Sequence, residues 1–576
     1  MFARLTQTWS RVPRWLAAGA IAAMTAAGMS APVVLTATPA SAGILGTPVN
    51  AIVQGSSVSA VQSVLSTVGG TVLTPLPLVN GVLAQLPSMT VVTTLQALGL
   101  NVVPNSPVAV DSLVGASASA SGTNVFPTAT GADQLQAQGI NGAGVGVAVL
   151  DTGIAPLPDF GSRLIAGVDF SGQGNPFLDS YGHGTFVAGL VAGDGSSSGG
   201  AYTGEAPGAN LISIKVAGAS GVTTVSTVIQ GIAWAIANQQ VYGIKVINLS
   251  LGHPVTEPSA TDPLCQAVAR AVAASITVVV SAGNYGLTST GAPVLGGITS
   301  PGNSPAALTV GSLDTKGTID PSDDEVAPYS SKGPARYEVA VKPDVVAPGT
   351  RITSLEAQNS YISTTYRQWH IAGSGKNAYL RLSGTSMSTA VVSGGVALLL
   401  NAYPSLTPAQ VKMSIQMGAR FIPEAGLIGA GTGSVNFAQS MKIAQNGLLN
   451  NLTTTITSLL GLSSGAAFRD QGTLIDRVYD RTGIRLLRIL DLSRLFGDAD
   501  SAEPGVLNLV GLTNPLGNTG ANYVVWGNVA GWSNSYYVVW GNSIQSPSGQ
   551  YVVWGNNEFS DPNYVVWGNS MGGGGH

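Results

Sequence analysis

Short apolar runs that alternate with helical patterns constrain the middle of this 576-residue chain more than any other feature. Strands are expected at 146–150, 211–216, 246–249 and 277–281. Apolar residues recur at helical spacing between them, at 186–192, 224–238 and 264–274, after a short helix at 131–138. Strands this apolar must be covered on both faces, and strands separated by helices run parallel. The expected architecture is therefore α/β, a parallel sheet with helices on both faces. Functional residues in such sheets gather at the carboxyl ends of strands. Asp151 directly follows the first run, and Asn248 and Asn284 lie at the ends of two others. A helix at 391–401 closes the series.

Composition narrows the function classes. Charged residues are 9% of the chain and glycines number 75, where an ordinary globular protein is about 25% charged. A net charge of −4 and the absence of any basic stripe argue against a nucleic-acid partner. Arg4, Arg11 and Arg14 precede the apolar run 15–29, and Ala40-Ser41-Ala42 supplies a small-x-small cleavage pattern, so residues 1–42 read as an export signal. An uncleaved anchor is the alternative, but the run is short for a span. With no Arg-Arg pair, general secretion is expected over twin-arginine export, giving an extracellular bacterial protein with no membrane span after signal removal. Cys265, the single cysteine, cannot form an internal disulfide and reads as a small buried residue.

Residues 43–112 form a self-contained pattern: strand 49–54, helix 58–68, hairpin 71–86 turning near Asn80-Gly81, helix 90–98 and strand 101–110. This βαββαβ order is the ferredoxin-like plan, here without His, Cys, Lys or Arg. A flexible linker rich in Ala, Ser and Gly follows at 113–125. Regularity fades after the 126–445 unit. Residues 446–520 hold a Thr/Leu-rich segment and a charged, short amphipathic helix. In the last region, 521–576, Tyr-Val-Val-Trp-Gly-Asn recurs at 523–528, 537–542, 551–556 and 564–569. Each copy reads as a strand followed by a turn, ahead of a Gly-rich tail. Aromatic repeats of this kind suit contact with glycans, a cell surface or another chain's strands.

Chemistry is suggested by Leu382-Ser383-Gly384-Thr385-Ser386-Met387, where small residues lead into an apolar helix. A serine there exposes its hydroxyl at a helix N-terminus, which favours developing negative charge. An N-capping serine is the bland alternative, so the partners decide. Of the four histidines, His576 follows four glycines, and His253 and His370 sit in turn-like or polar stretches. His183, between Gly182 and Gly184 and ahead of an apolar helix, is the candidate base. Asp151 at its strand end is expensive unless paired, and a carboxylate is what such a base needs; a turn-capping Asp is the alternative. Asn284, at a strand end between glycines, suits an oxyanion donor together with the Ser386 N–H.

Val149-Leu150-Asp151-Thr152-Gly153-Ile154, Gly182-His183-Gly184-Thr185, Ser281-Ala282-Gly283-Asn284 and Gly384-Thr385-Ser386-Met387 resemble, in order and spacing, the signature blocks of subtilisin-like serine proteases. Lys342-Pro343-Asp344-Val345-Val346-Ala347-Pro348-Gly349 resembles the block before the family's serine segment, and the likeness covers about 126–445. It implies that Asp151 orients, His183 is the base, Ser386 attacks and Asn284 helps form the oxyanion hole. Ser250-Leu251-Gly252 would pair with the substrate backbone, and Gly283 would line the pocket before the cut bond. The unit at 43–112 would be an inhibitory propeptide, with self-processing in the linker that follows. The resemblance implies a secreted serine endopeptidase for protein or peptide substrates, made as a zymogen and needing no cofactor for its chemistry. The alternative is a surface-associated binding protein in which the repeats carry the main role.

The chain departs from the family after the serine, with Met387-Ser388-Thr389-Ala390-Val391, and has Phe186 where many relatives carry a second histidine. Asp159 resembles a ligand position for structural calcium, although the loop 193–201 lacks the Asn/Asp pattern of a strong site. The scarcity of charge favours a small or apolar residue before the cut.

Overall fold

The computed structural model describes residues 47–110, 124–338 and 341–445, together with four four-residue strands between 523 and 567. Strands β1 (Val49–Gln54), β2 (Thr71–Leu76), β3 (Gly81–Leu86) and β4 (Asn101–Pro104) form an antiparallel sheet in the order 2-3-1-4. Helices Val58–Thr67 and Met89–Ala97 pack on it around Val61, Leu65, Val82 and Leu95. Asn80 takes the left-handed conformation (φ 52°) that the Asn-Gly turn signal foretells. The expected single strand at 101–110 is corrected by the structure. It breaks at Asn105-Ser106, and β5 (Pro107–Val110) leaves the sheet. Pro104 and Pro107 remove ladder donors on either side of the break. Asn105 Oδ1 and the Ser106 carbonyl instead accept from Ser226 N and Val225 N, at 3.0 and 3.1 Å.

The larger unit is built on strands β6 (Gly146–Asp151), β7 (Leu164–Asp169), β8 (Asn210–Lys215), β10 (Ile244–Leu249), β12 (Thr277–Ser281), β13 (Leu308–Asp314), β14 (Glu325–Val326) and β15 (Val345–Pro348). The sheet order is 14-13-12-10-6-8-7, with β15 also on β13, and every pairing except β13–β14 is parallel. Alternation along β6 shows why both faces are buried. Val147 and Val149 join the apolar cluster of helices His183–Ala192 and Thr385–Ala402. Ala148 and Leu150 join that of helices Val225–Ala237 and Pro263–Ala273. Ile52, Leu76, Val79 and Val103 of the small unit belong to this second cluster, so its sheet packs on those two helices. Helix Thr385–Ala402 is long and apolar enough to span a membrane, but 89% of it is buried in this core.

The helix expected from Phe186 starts earlier, at His183, because the small residues there do not show helical periodicity, whereas the helix expected to open at Ser386 starts one residue before it, at Thr385. Strands β7, β13 and β15 escaped the apolar-run criterion: β7 is only partly buried, β13 contains Gly311 and Ser312, and β15 ends in Pro348. The expected helix in 469–496 lies outside the described residues.

One core group makes a testable contribution to stability. Glu205 is fully buried; Oε1 accepts from Thr130 Oγ1 at 2.5 Å, and Oε2 has no hydrogen-bond partner among the described residues. Burial pushes its carboxyl well above the usual carboxylate range. The folded chain thus keeps a proton that the unfolded chain loses above the ordinary value of 4.5, and stability falls as pH rises past it. Against Glu205→Gln, the wild type is expected to lose about 1.4 kcal/mol per pH unit from just above that value until Glu205 ionises in the fold. Thermal unfolding measured across pH reads this directly; parallel curves for the two proteins would sink the assignment.

Candidate active site

Asp151, the last residue of β6, and His183, the first of its helix, are both fully buried. His183 Nδ1 lies 2.8 and 2.9 Å from Asp151 Oδ1 and Oδ2. Thr152 N also donates to Oδ1, at 2.8 Å. Gly184 has to be glycine here, since a Cβ would lie 2.2 Å from the Gly153 carbonyl and 3.2 Å from Asp151 Cβ. Asp179 ties down the start of the helix. Its Oδ1 accepts from Gly182 N and Thr152 Oγ1 at 2.7 and 2.8 Å, and Oδ2 from Thr185 N at 2.8 Å. Burial raises the Asp179 carboxyl, and bonds from Thr185, Gly182 and Thr152 offset part of that. Lys215, at the end of β8, donates to the Leu178 carbonyl at 2.6 Å and to that of Thr152. Burial lowers its pKa, against the opposing pull of Asp179, Asp169 and Asp151.

Ser386 stands in the first turn of helix Thr385–Ala402, which packs against the His183 helix. Its Oγ is 3.3 Å from the Ser250 carbonyl, and Ser250 Oγ donates back to the Ser386 carbonyl at 3.1 Å. Asn284 Oδ1 accepts from Thr385 N and Oγ1, both at 3.0 Å.

A groove leads to this serine. Short strands β9 (Val222–Thr224) and β11 (Leu251–Gly252) flank β5 on either side in an antiparallel sheet. Val108 and Ala109 pair with Thr223 and Val222, while Ala109 and Val110 pair with Gly252 and Leu251. Val110 N donates to the Gly221 carbonyl at 3.0 Å. Because the Ser250 carbonyl contacts Ser386, a chain in this register meets the serine one residue after the position opposite Leu251.

The structure thus brings Ser250, Leu251 and Gly252 together with Ser386 and Asn284. Gly283 stands beside them but does not face open space. Thr299 fills the gap, lying 2.9 Å from where a Gly283 Cβ would sit and 2.7 Å from that of Gly252. Asp159 is buried, and its oxygens accept from Ser197 N at 3.1 Å and Tyr379 OH at 2.5 Å. Among the described residues no three His, Cys, Asp or Glu side chains converge. His253 Nδ1 contacts the Pro254 carbonyl at 2.9 Å, and exposed His370 pairs with Glu356 at 2.7 Å. Cys265 is buried beside Asn303 and Ser300, and burial pushes its thiol well above the usual range.

Sequence reasoning missed Thr152, Asp179, Lys215 and Thr299. Only Asp179 carried a signal, an acid four residues ahead of the histidine. It also missed Tyr181, whose ring stacks on Tyr361 (5.5 Å, 11°) and abuts Gly221 on the groove wall.

An α/β sheet that holds a buried Asp–His pair and a helix-borne serine beside a strand-binding groove defines a class of hydrolase. Residues 142–456 match the model of the subtilase family, peptidase S8, and the chain belongs to that family. The serine protease AprX of Bacillus subtilis is 40% identical over 309 residues, 53% of this chain and 67% of its own. Subtilisin DY of Bacillus licheniformis is 34% identical over 307 residues, covering 53% of this chain and 95% of its own. Fervidolysin from Fervidobacterium pennivorans, a keratinolytic enzyme related to subtilisin, shares the fold (TM-score 0.54, 22% identity), over 69% of this chain and 61% of that one. The protein is a serine endopeptidase with a subtilisin-like α/β fold, and its substrates are proteins or peptides.

Proposed function

We propose that Ser386 attacks the scissile carbonyl while His183 takes its proton at Nε2, and that Asp151, bonded to Nδ1, holds the tautomer and steadies the imidazolium. The buried Asp151–His183 contact of 2.8 Å is the observation that carries this reading. The Asn284 amide and the Ser386 N–H stabilise the oxyanion, helped by the positive end of the serine helix. The acyl-enzyme is then hydrolysed, with His183 returning the proton to the leaving amine before it activates water. Replacing Asn284 by leucine is expected to lower kcat by about 10²–10³-fold with little change in KM, the magnitude known for an oxyanion asparagine of subtilisin. An unchanged kcat would remove Asn284 from the hole.

We also propose that residues 43–112 are an inhibitory propeptide, that residues 1–42 direct secretion, and that the enzyme matures by cutting its own linker. Support comes from β5, which occupies the groove as an added strand pointing toward Ser386. Mass spectrometry of secreted wild type and Ser386→Ala protein after incubation tests this. Loss of the segment from residue 43 to a cut just after β5 is expected from the wild type alone. Full-length wild type, or equal trimming of both, would refute self-processing.

Thr299, wedged between Gly252 and Gly283, favours a small residue before the cut. Thr299→Gly is expected to raise kcat/KM for Phe or Leu over Ala at that position by about tenfold or more. A peptide series varied at that residue measures it, and an unchanged preference would place the specificity elsewhere.

A further inference from the structure

The Tyr-Val-Val-Trp segments Tyr523–Trp526, Tyr537–Trp540, Tyr551–Trp554 and Tyr564–Trp567 pair side by side, in chain order, as a parallel four-stranded sheet. Tyrosine lies opposite tyrosine and tryptophan opposite tryptophan at all three junctions. The joining segments differ in sequence, and the last is one residue shorter, so the tetrapeptide itself sets the register.

Stacked repeats normally end in atypical capping copies, and natural edge strands carry lysine, proline or a bulge that blocks further pairing. The fourth copy here has none of these. Its sequence is that of the interior copies, and among the described residues no strand pairs with its outer edge. The opposite end is different, since Tyr523–Trp526 lies beside helix Gly426–Ala430 of the large unit. Residues 521–576 contain Glu558 and Asp561 as their only Asp, Glu, Lys or Arg, so little charge opposes the approach of a like surface.

We propose that the outer edge of Tyr564–Trp567 is a self-association surface, through which two copies of the chain join antiparallel about a two-fold axis. In that pairing Tyr564 stands opposite Trp567 of the second copy, and Val565 opposite Val566. Backbone groups left open at the edge gain partners, and two four-stranded sheets become one of eight. One outward edge per chain closes the assembly at a dimer; two outward edges would grow a filament.

Because each copy is the same, removing the fourth exposes an identical edge at Tyr551–Trp554. The pairing should survive that loss and disappear only with the whole array. Sedimentation velocity across the micromolar range tests this on the Ser386→Ala protein, with intact mass checked, in three forms: full chain, ending at residue 557, and ending at residue 520. The expected result is a species of twice the chain mass for the first two and a monomer for the third. A monomeric full chain, a dimer that persists without residues 521–576, loss of the dimer on removing the fourth copy alone, or particles that keep growing with concentration would each overturn the proposal.

Discussion

Replacing Ser386 by alanine is expected to lower kcat on a peptide substrate by roughly 10⁶-fold, a magnitude carried over from subtilisin itself. The loss should fall on kcat and not on KM, because the proposed pairing of the substrate backbone with β9 and β11, the place that β5 takes here, does not use the serine hydroxyl. Stability should hardly change, as among the described residues Ser386 Oγ makes one hydrogen bond, at 3.3 Å to the Ser250 carbonyl. Labelling by a serine-directed organophosphorus reagent should vanish with the activity. A variant that keeps wild-type turnover with a normal fold would remove Ser386 from the nucleophile's place.

Asp151→Asn is the second large effect, an expected fall in kcat of roughly 10⁴-fold with Ser386 and the groove intact. Both Asp151 oxygens lie within 2.9 Å of His183 Nδ1, and Oδ1 also accepts from Thr152 N. The asparagine oxygen will keep the Thr152 bond, which turns its NH₂ toward Nδ1. Nδ1 must then accept, Nε2 carries the proton, and the base faces the serine with its lone pair gone. The fully buried site gives the imidazolium no water to replace the lost carboxylate. Recovery of activity at high pH with an apparent pKa unlike the wild type's would support this account. A loss of only a few-fold would show that His183 is oriented by other groups.

Much of the site was legible because its chemistry needs local features. A serine at a helix start, a histidine between small residues and a carboxylate ending an apolar strand each leave a mark within a few residues. The network behind them leaves none. Thr152, Asp179 and Lys215 are ordinary polar residues until β6, β8 and the loop before His183 come together. Thr299 reads as a loop threonine until Gly252 and Gly283 close on it. The strand expected at 101–110 failed for the same reason. Its second half satisfies the same alternation in either sheet, and the groove between β9 and β11 wins it.

Resemblance of their motifs to a family joined Asp151, His183, Asn284 and Ser386 in one expected chemistry. The sequence by itself determined most strands and helices that frame the site, that the sheet is parallel and covered on both faces, and that a carboxylate at the Asp151 strand end needs a partner. Those follow from periodicity and from the cost of burying a charge, both of which act over a few residues. Tertiary structure alone decided that Asp151 and His183 touch at 2.8 Å, that β5 enters the groove instead of completing its own sheet, and that Thr299 lies between Gly252 and Gly283. Those contacts join segments far apart in the chain, where competing backbone partners and the shape of the packed core, not local pattern, set the outcome.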